Sequence, residues 1–374
     1  MYEGYSNKSS IIYTVLLLFM PIILLSDLFN ISDKNLLTGI KVFLFVLAML
    51  LIPLKRWLPR RKYYLYIYIF ILYLVFLTIS LRTSNDDLIY VVLYVLPFFL
   101  FFLEDKIIFK MSSFLVKYFS IIIVMAFLFV ISSPKILFAG REIFVPLLHG
   151  PHTSVYSITI LYLYIFLGYL NKVISKKIFI VISLLSLFII FGYKARNAEL
   201  GIIFFFLTFY FYESQWSKSS KNIFIYFIVI LLTITLYFLN QFWNIDWNTF
   251  SSGRLFAWKE RIDILSNYDL LTLLFGSGYG ADIMKTKQWW WEAKASHNDF
   301  LSIIFNGGLF SLFGLLLIGY KLFVKANSFQ KGLIIYILIT SATNTGLLGR
   351  PIQFLYIVLL YIVANSISKV ENAK

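Results

Sequence analysis

The chain has 374 residues, 60% of them hydrophobic, and a formal net charge of +15 at pH 7. Its mean hydropathy of +0.83 lies far above that of a soluble domain. Because the cytoplasmic loops of membrane proteins collect Lys and Arg, the positive charge does not require nucleic acid as a partner. Cysteine is absent, which excludes disulfide bonds and thiol chemistry.

Long apolar runs determine the predicted fold. Many reach about 20 residues, the length that crosses a bilayer as a helix, and they predict an all-α polytopic membrane protein. A β-barrel would show alternating segments instead. The first run follows a mostly polar N-terminus and has no small-residue cleavage site, so we interpret it as a signal anchor. In chain order we place about twelve spans, in a single integral membrane domain over 1–374, at about 11–29, 36–53, 63–81, 88–103, 113–132, 153–170, 178–193, 198–212, 222–240, 298–320, 332–348 and 351–367.

The short loops on one side of these spans are basic. The segment KRWLPRRK, at 55–62, has five basic residues among eight, and the alternate loops that follow are NKVISKK, ESQWSKSSKN and KLFVKANSFQK. By the positive-inside rule these loops are cytoplasmic. Because the number of spans is even, both termini are predicted to be cytoplasmic as well.

The opposite, outer side has two substantial loops, at about 133–152 and 241–297, and the second is the one long polar segment of the sequence. All three histidines and six arginines map to this side. Since the planar guanidinium pairs bidentately with phosphate, arginine on the side that disfavours positive charge invites a functional explanation. These residues are His149, His152, His297, Arg82, Arg141, Arg196, Arg254, Arg261 and Arg350.

The long outer loop is also rich in tryptophan, with six of the eight in the chain: Trp243, Trp247, Trp258, Trp289, Trp290 and Trp291. They form either an interfacial aromatic belt or a platform for sugar rings. Within the loop, GRLFAWKERIDILSNY has the apolar spacing of an amphipathic helix, which we expect to lie on the membrane surface. We place Leu255, Trp258, Ile262 and Leu265 on its apolar face, Lys259, Glu260, Arg261, Asp263 and Ser266 on its polar face, and Ser251 or Ser252 at its N-cap.

Arg254 lies at the predicted start of this helix. Backbone N–H groups there favour an anion, and a basic side chain is unfavourable, so an anionic ligand would explain Arg254. A lipid headgroup would explain it equally well.

Two shorter outer segments carry further candidates. Lys194, Arg196 and Glu199 lie within six residues at a tight turn, where they either bind a ligand or form an Arg–Glu pair that caps two helices. His149-Gly-Pro-His152 begins the sixth span. Gly-Pro fixes a turn, which explains the dipeptide but not the two histidines.

Several kinds of chemistry have no motif in the sequence. The histidines and scattered carboxylates do not form a zinc spacing, and there is no Asp-x-Asp pair for a magnesium-bound nucleotide sugar. A Walker loop and a nucleophile elbow are absent as well. We therefore predict no metal and no cofactor.

Four motifs of the second half occur in a set order. Gly253-Arg254 with Trp258 opens the long-loop helix, and FGSGYG follows at 275–280. Ser296-His297-Asn298-Asp299 ends the loop, and Gly307-Gly308 lies in the next span. Together with the turn at 194–201 and the Gly150-Pro151-His152 start, they cover about 150–320. In order, side and spacing this region resembles the O-antigen polymerase and O-antigen ligase family of bacterial membrane glycosyltransferases; the first five spans carry no such signature.

The resemblance implies a glycosyltransferase of the bacterial cytoplasmic (inner) membrane, with its active site facing the periplasm and no metal. It would transfer a glycan from undecaprenyl diphosphate to an acceptor sugar. His297 would be the general base, since an imidazole titrates near neutrality; its structural alternative is an interfacial N-cap. Arg196 and Arg254 would hold the departing diphosphate. Substrate contacts are expected from His152, Asn298, Asp299, Arg141, Arg350 and Lys194, with Asn298 or Asp299 orienting His297 or the sugar.

Three functions stay open at this point. A polymerase would pass the growing glycan to the non-reducing-end sugar of a lipid-linked repeat, and a ligase would pass it to lipid A-core. We favour the polymerase, because the chain is compact and its first half is divergent. A flippase for lipid-linked oligosaccharides needs charges inside the bundle, whereas here the charges crowd one face. The expected partners are the undecaprenyl-diphosphate-linked oligosaccharide, membrane lipid and a polysaccharide chain-length regulator.

Overall fold

The computed structural model describes residues 3–29, 31, 33–50, 100, 112–138, 141–147, 150–214, 217, 220, 251, 253–278, 280–287, 289–343, 346 and 350–371. Apart from residue 100, the spans predicted at about 63–81, 88–103 and 222–240 lie outside the described residues. The same holds for Arg82, His149, Trp243, Trp247 and Ser252.

The described part of the chain is mostly helical. Its helices are α1 (Glu3–Leu24), α2 (Lys34–Leu50), α3 (Ser113–Ser132), α4 (Pro151–Leu170), α5 (Lys176–Gly192), α6 (Arg196–Glu213), α7 (Arg254–Ser266), α8 (Leu270–Phe275), α9 (Asp299–Lys325), α10 (Ser328–Thr343) and α11 (Pro351–Glu371). Of these, α3, α4 and α9 are long and apolar enough to cross a membrane, and shorter apolar helices lie at Ile11–Leu24, Leu36–Ala48, Ser328–Ala342 and Pro351–Ala364. These helices agree with a helical membrane protein, while the count of twelve spans stays a prediction.

The centre of the bundle is formed by α4 and α11, which are buried on nearly every side. A helix that is apolar all round belongs in such a position. Tyrosine hydroxyls connect these helices to their neighbours: Tyr164 donates to the Tyr356 carbonyl at 3.2 Å, and Tyr356 donates to the Leu16 carbonyl at 3.1 Å. Buried phenols therefore find acceptors on adjacent helices, which fixes α4, α11 and α1 relative to one another.

Two glycines let α6 and α10 approach each other closely. A Cβ on Gly201 would lie 2.8 Å from Thr340 Cγ2, and a Cβ on Gly332 would lie 2.8 Å from a ring carbon of Phe205. Small residues at a helix–helix interface allow such contact between backbones inside a membrane. Because Arg196 is the first residue of α6, this contact also sets the position of one predicted site residue.

The start of α10 differs from the prediction. The helix begins at Ser328, four residues before the predicted start at about 332. Asn327 and Gln330 explain the difference because their side chains form reciprocal caps: the Gln330 N–H donates to Asn327 Oδ1, and the Asn327 N–H donates to Gln330 Oε1. Hydropathy assigned these polar residues to a loop, whereas they start the helix as a capping pair.

The all-α prediction also missed a small hairpin in the first outer loop. Strand β1 (Ile136–Phe138) pairs antiparallel with β2 (Arg141–Ile143), with Leu137 opposite Glu142. Strands of three residues are too short to show the alternation by which a strand is recognised in a sequence. Arg141 opens β2 opposite Phe138.

Candidate functional site

Four helices begin close together at one end of the bundle: α4, α6, α9 and α11. The positive charges of Arg254 and Arg350 act on both His152 and His297, and the charge of Arg196 acts on Arg254. We call these five residues the arginine–histidine cluster. It brings together all three predicted catalytic residues and two of the predicted substrate contacts, from segments far apart in the sequence.

His297 has an unusual backbone. Its φ of 52° places it in the left-handed region, which costs a residue other than glycine on the order of 1 kcal/mol. Hydrogen bonds fix the chain on both sides of it. The Ser296 carbonyl accepts from Trp258 Nε1 at 2.7 Å, and Asn298 is the N-cap of α9. The imidazole is therefore presented by a backbone that its neighbours hold in place.

Asn298 uses both atoms of its amide to fix helix ends. Its Oδ1 accepts from the N–H groups of Phe300 and Leu301 at 3.0 and 3.1 Å, and its Nδ2 donates to the Ala342 carbonyl at 2.9 Å. These contacts cap α9 and connect it to the end of α10. Asn298 thus fixes the backbone next to His297, while its predicted role in orienting the base or the sugar stays a prediction.

Asp299 is buried and directed toward the start of α11. Both carboxylate oxygens accept from the Gly346 N–H at 3.1 Å, and the Gly346 carbonyl accepts from Arg350 Nη1 at 3.2 Å. The Gly346 peptide therefore lies between a carboxylate and a guanidinium. Asp299 and Arg350 are thus connected through the N–H and C=O groups of Gly346.

Helix α7 buries a face that differs from the predicted one. Ala257, Arg261 and Leu265 are buried, and Arg261 is 0% exposed although it was predicted on the polar face. The Arg261 guanidinium donates to the carbonyls of Ala257, Asp282 and Lys294 at 3.2, 3.3 and 2.7 Å. Backbone acceptors on α7 and on the returning loop thus pair both terminal nitrogens of the guanidinium, which lowers the cost of its burial.

The exposed side of α7 combines apolar residues with the polar Lys259, Asp263 and Ser266, and its position on a membrane surface stays a prediction. Leu255, Phe256 and Ile262 are 41%, 58% and 54% exposed. The N-cap position is taken by Gly253, with φ of 80°. Ser251 still contributes to capping, because its hydroxyl accepts from the Leu255 N–H at 3.2 Å.

A buried polar network holds the chain before His297. The Ser296 N–H donates to Asp282 Oδ2 at 3.1 Å, and the Ser302 hydroxyl donates to the same oxygen. The Ser296 hydroxyl lies 2.9 Å from the Ser302 hydroxyl. Asp282, Ser296 and Ser302 therefore connect the outer loop to the first turn of α9.

The Gly307-Gly308 motif breaks α9, and the FGSGYG turn docks at the break. Gly308 has φ of 71° and ψ of −175°, so the helical hydrogen bonds are interrupted there. The N–H groups of Ser277 and Gly278 donate to the carbonyls of Phe305 and Asn306 at 2.7 and 3.1 Å. The two motifs are thus complementary parts of one structural joint.

Glycine is required at this joint. A Cβ on Gly276 would lie 2.5 Å from the Asn306 carbonyl, and a Cβ on Gly308 would lie 2.2 Å from the Leu274 carbonyl oxygen. Both distances are far shorter than a carbon can approach. Backbone contact without side chains therefore seats α8 and its turn against α9.

An aromatic side chain covers one side of His297. The Trp289 ring meets the imidazole edge to face, with 5.4 Å between ring centres. Lys294 Nζ lies 5.9 Å from the centre of the Trp289 ring and 5.7 Å from that of Trp291, and it pairs with Glu292 at 3.3 Å. Trp290 and Trp291 are 71% and 55% exposed, so they are available to a membrane interface or to sugar rings.

The environment of His297 favours the neutral imidazole. Burial, followed by the positive charges of Arg254, Lys294, Arg350 and Arg261, lowers the pKa of His297 from 6.5 to about 4. Burial also lowers the pKa of Arg254; Tyr156 opposes this shift, and Arg196 adds to it. Arginine stays charged in proteins, so the cluster combines fixed cations with an imidazole that is neutral at pH 7.

Sequence reasoning missed two residues of this site. The Tyr156 hydroxyl accepts a hydrogen bond from Asn197 Nδ2, and the Arg350 guanidinium carbon lies 5.1 Å from the centre of the Tyr156 ring. Tyr156 is one helical turn after His152, and Asn197 directly follows Arg196. Helical spacing from His152 was therefore an available signal for Tyr156, while Asn197 had none.

Two predicted contacts are placed less closely. Lys194 has φ of 53° and is exposed at the turn before α6. Lys194 is not among the cations that act on His152 and His297. Arg141 contributes its backbone to the hairpin. Within the described ranges, no group of three or more His, Asp or Glu residues could hold a metal ion.

Comparison of the chain with protein-family models and with curated proteins gives no match. The assignment of a function therefore depends on the chemistry of this cluster and on the order of the sequence motifs.

Proposed function

We propose that this protein is a surface polysaccharide (O-antigen) polymerase of the bacterial inner membrane. It would transfer a growing glycan from undecaprenyl diphosphate to the non-reducing-end sugar of a lipid-linked repeat, on the periplasmic face and without metal. The observation that supports this most directly is that Arg254 and Arg350 act on the same two histidines. A metal-free transfer from a diphosphate needs cations for the leaving group beside a proton acceptor.

The proposed reaction balances within this cluster. The acceptor hydroxyl oxygen forms a bond to the anomeric carbon as the bond from that carbon to the diphosphate oxygen breaks. The hydroxyl proton goes to His297, and the electron pair of the broken bond leaves with the diphosphate. Arg196, Arg254 and Arg350 neutralise the charge that develops on the leaving group, which stabilises the transition state.

Donor binding would also strengthen the base. In the free protein, cations and burial hold the pKa of His297 at about 4, where the imidazole is neutral but a weak base. A bound diphosphate offsets the positive charges that lower this pKa, so the pKa rises when the donor is present. Proton abstraction would then become favourable in the complex that contains the leaving group.

The decisive experiment uses purified protein with lipid-linked repeats and neither ATP nor metal. Elongated lipid-linked glycan is the expected product; translocation without elongation would refute an enzyme and support a flippase. In cells, deletion should leave lipopolysaccharide with a single repeat on the core. Complete loss of repeats from the core, with lipid-linked polymer accumulating, would identify a ligase instead.

His297 is tested best by two substitutions. His297→Ala removes the imidazole, and His297→Asn does so while supplying a side chain that tolerates the left-handed backbone. Both variants should lose elongation and stay in the membrane. Lys259→Ala, on the exposed side of α7, is the matched control and should retain it. Substantial elongation by His297→Asn would contradict the assignment of the base.

A further inference from the structure

The buried polar atoms without a hydrogen-bond partner among the described residues include two of the site, Asn197 Oδ1 and His152 Nδ1. Asn197 is 4% exposed, and its Nδ2 donates to the Tyr156 hydroxyl. His152 and Asn197 are the second residues of α4 and α6. The Asn197 amide acts on the His152 imidazole as a hydrogen-bonding group, although neither Asn197 Oδ1 nor His152 Nδ1 is within hydrogen-bond distance of a partner in the described part of the chain. A buried amide oxygen without a donor is costly, so a bound molecule that supplies a donor would be favoured there.

The chemistry of Asn197 Oδ1 excludes the diphosphate as its partner. An amide oxygen only accepts hydrogen bonds, and the oxygens of an ionised diphosphate also only accept. Arginines serve the phosphate oxygens. The amide oxygen instead matches an O–H or N–H group, and sugars carry such groups. Nδ1 of a neutral imidazole accepts or donates according to its tautomer, so His152 fits a sugar as well.

The position of Asn197 indicates which sugar this is. Tyr156, the partner of Asn197, lies against Arg350, and Arg254 acts on the neighbouring His152. Both arginines belong to the cluster that would hold the diphosphate. The sugar bonded to that diphosphate is the one that must lie next to it.

We propose that Asn197 is a specificity-determining residue that accepts a hydrogen bond from an O–H or N–H group of the diphosphate-bearing sugar, with His152 beside it. The proposal rests on the proposed function for the identity of the donor. A site of this kind discriminates strongly, because a sugar without the donor leaves a buried acceptor unpaired.

The test measures binding to the purified full-length protein in lipid nanodiscs, so that turnover is not required. One probe is undecaprenyl diphosphate that carries a single 2-acetamido sugar, which offers both O–H and N–H donors. The other is its methyl ester analogue, in which a methyl group replaces the sugar at equal charge. The ratio of the two dissociation constants reports the contribution of the sugar alone.

In Asn197→Leu, the affinity for the sugar-bearing probe should fall about tenfold, and the affinity for the methyl probe should change little. Asn197→Asp keeps an acceptor oxygen. Its negative charge should weaken the binding of both probes equally, so the ratio of the two dissociation constants should stay close to that of the wild type. Thr159→Val removes another buried oxygen without a partner on α4, and it should not alter the ratio.

An unchanged ratio in Asn197→Leu would overturn the proposal and would mean that ordered water satisfies the amide. If Asn197→Leu does not fold, Asn197→Ala, which also lacks the acceptor, is measured in the same way. If the wild-type protein elongates the glycan but Asn197→Leu leaves the ratio of dissociation constants unchanged, the assignment of Asn197 is refuted and the polymerase is not. Sugar-dependent binding without elongation refutes the polymerase and supports Asn197.

Discussion

The pH dependence of elongation should reveal the depressed pKa of His297. A general base must be neutral to accept a proton, so kcat/KM of the free enzyme falls as the pH drops through the pKa of the base. For His297 that value is about 4, with burial as the main cause and four cations adding to it. An ordinary histidine would lose activity near pH 6.5.

The difference is largest between these two values. At pH 5.5 an imidazole with a pKa of about 4 is about 97% neutral, whereas one with a pKa of 6.5 is about 9% neutral. The protein should therefore keep nearly all of its kcat/KM at pH 5.5, about ten times more than an unperturbed base would allow. Initial rates at low donor concentration, from pH 4 to pH 8, measure this directly.

Two features make the assay interpretable. The proposed donor is a diester of diphosphate, which has no ionisation near neutral pH, so a donor with neutral sugars keeps one charge state throughout the assay. Because the pKa of His297 is lower in the folded chain, the unfolded chain binds the proton more readily between about pH 4 and 6.5. The stability that His297 contributes is therefore complete above pH 6.5 and is lost as the pH falls toward 4, so the folded fraction is checked at each pH. An acid limb centred near pH 6.5 in a folded sample would refute the reasoning.

Three further changes test other parts of the site. Arg254→Lys should reduce elongation at least tenfold, on the order of 1.4 kcal/mol, since an ammonium cannot replace the guanidinium fork; wild-type rates would argue against diphosphate binding. Gly308→Ala should lower stability by more than about 2 kcal/mol in thermal unfolding, because its Cβ would lie 2.2 Å from the Leu274 carbonyl oxygen. Gly319→Ala is the matched control on the same helix, because a Cβ there would have nothing within 4 Å, and it should not change stability. Equal losses of stability in the two variants would contradict the requirement for glycine at the joint. EDTA should leave elongation unchanged, and a clear metal requirement would overturn the mechanism.

The sequence predicted which residues form the cluster, but not the contacts that hold them in place. The alternation of spans places the starts of α4, α6, α9 and α11 at one end. For this reason the sequence alone groups His152, Arg196, His297 and Arg350. The grouping needed only helix direction and loop charge. Neither property depends on which side chains touch.

Arg261 shows why the contacts that hold the cluster in place could not be predicted from the sequence. A helical projection assigns a charged residue to the solvent face, but three carbonyls, two of them 21 and 33 residues further along the chain, satisfy its guanidinium. The partners of Gly307 and Gly308 are distant in the same way. Asn197 and Tyr156 carry no motif, and their importance comes from burial beside the arginines. Contacts between distant backbone groups leave no periodic signal in a sequence.

The break in α9 has a consequence for the order in which the protein is assembled. Gly308 lies nine residues beyond the start of the helix, about 14 Å along it and close to the middle of a bilayer core of about 30 Å. The turn at 276–278 is synthesised first, but the carbonyls of Phe305 and Asn306 that satisfy it become available only once α9 has been inserted. Irregular backbone at that depth is tolerated only when protein groups satisfy it. On the predicted topology, the turn at 276–278 therefore reaches its place only after α9 has been inserted, and the arginine–histidine cluster is completed when the start of α11 supplies Arg350.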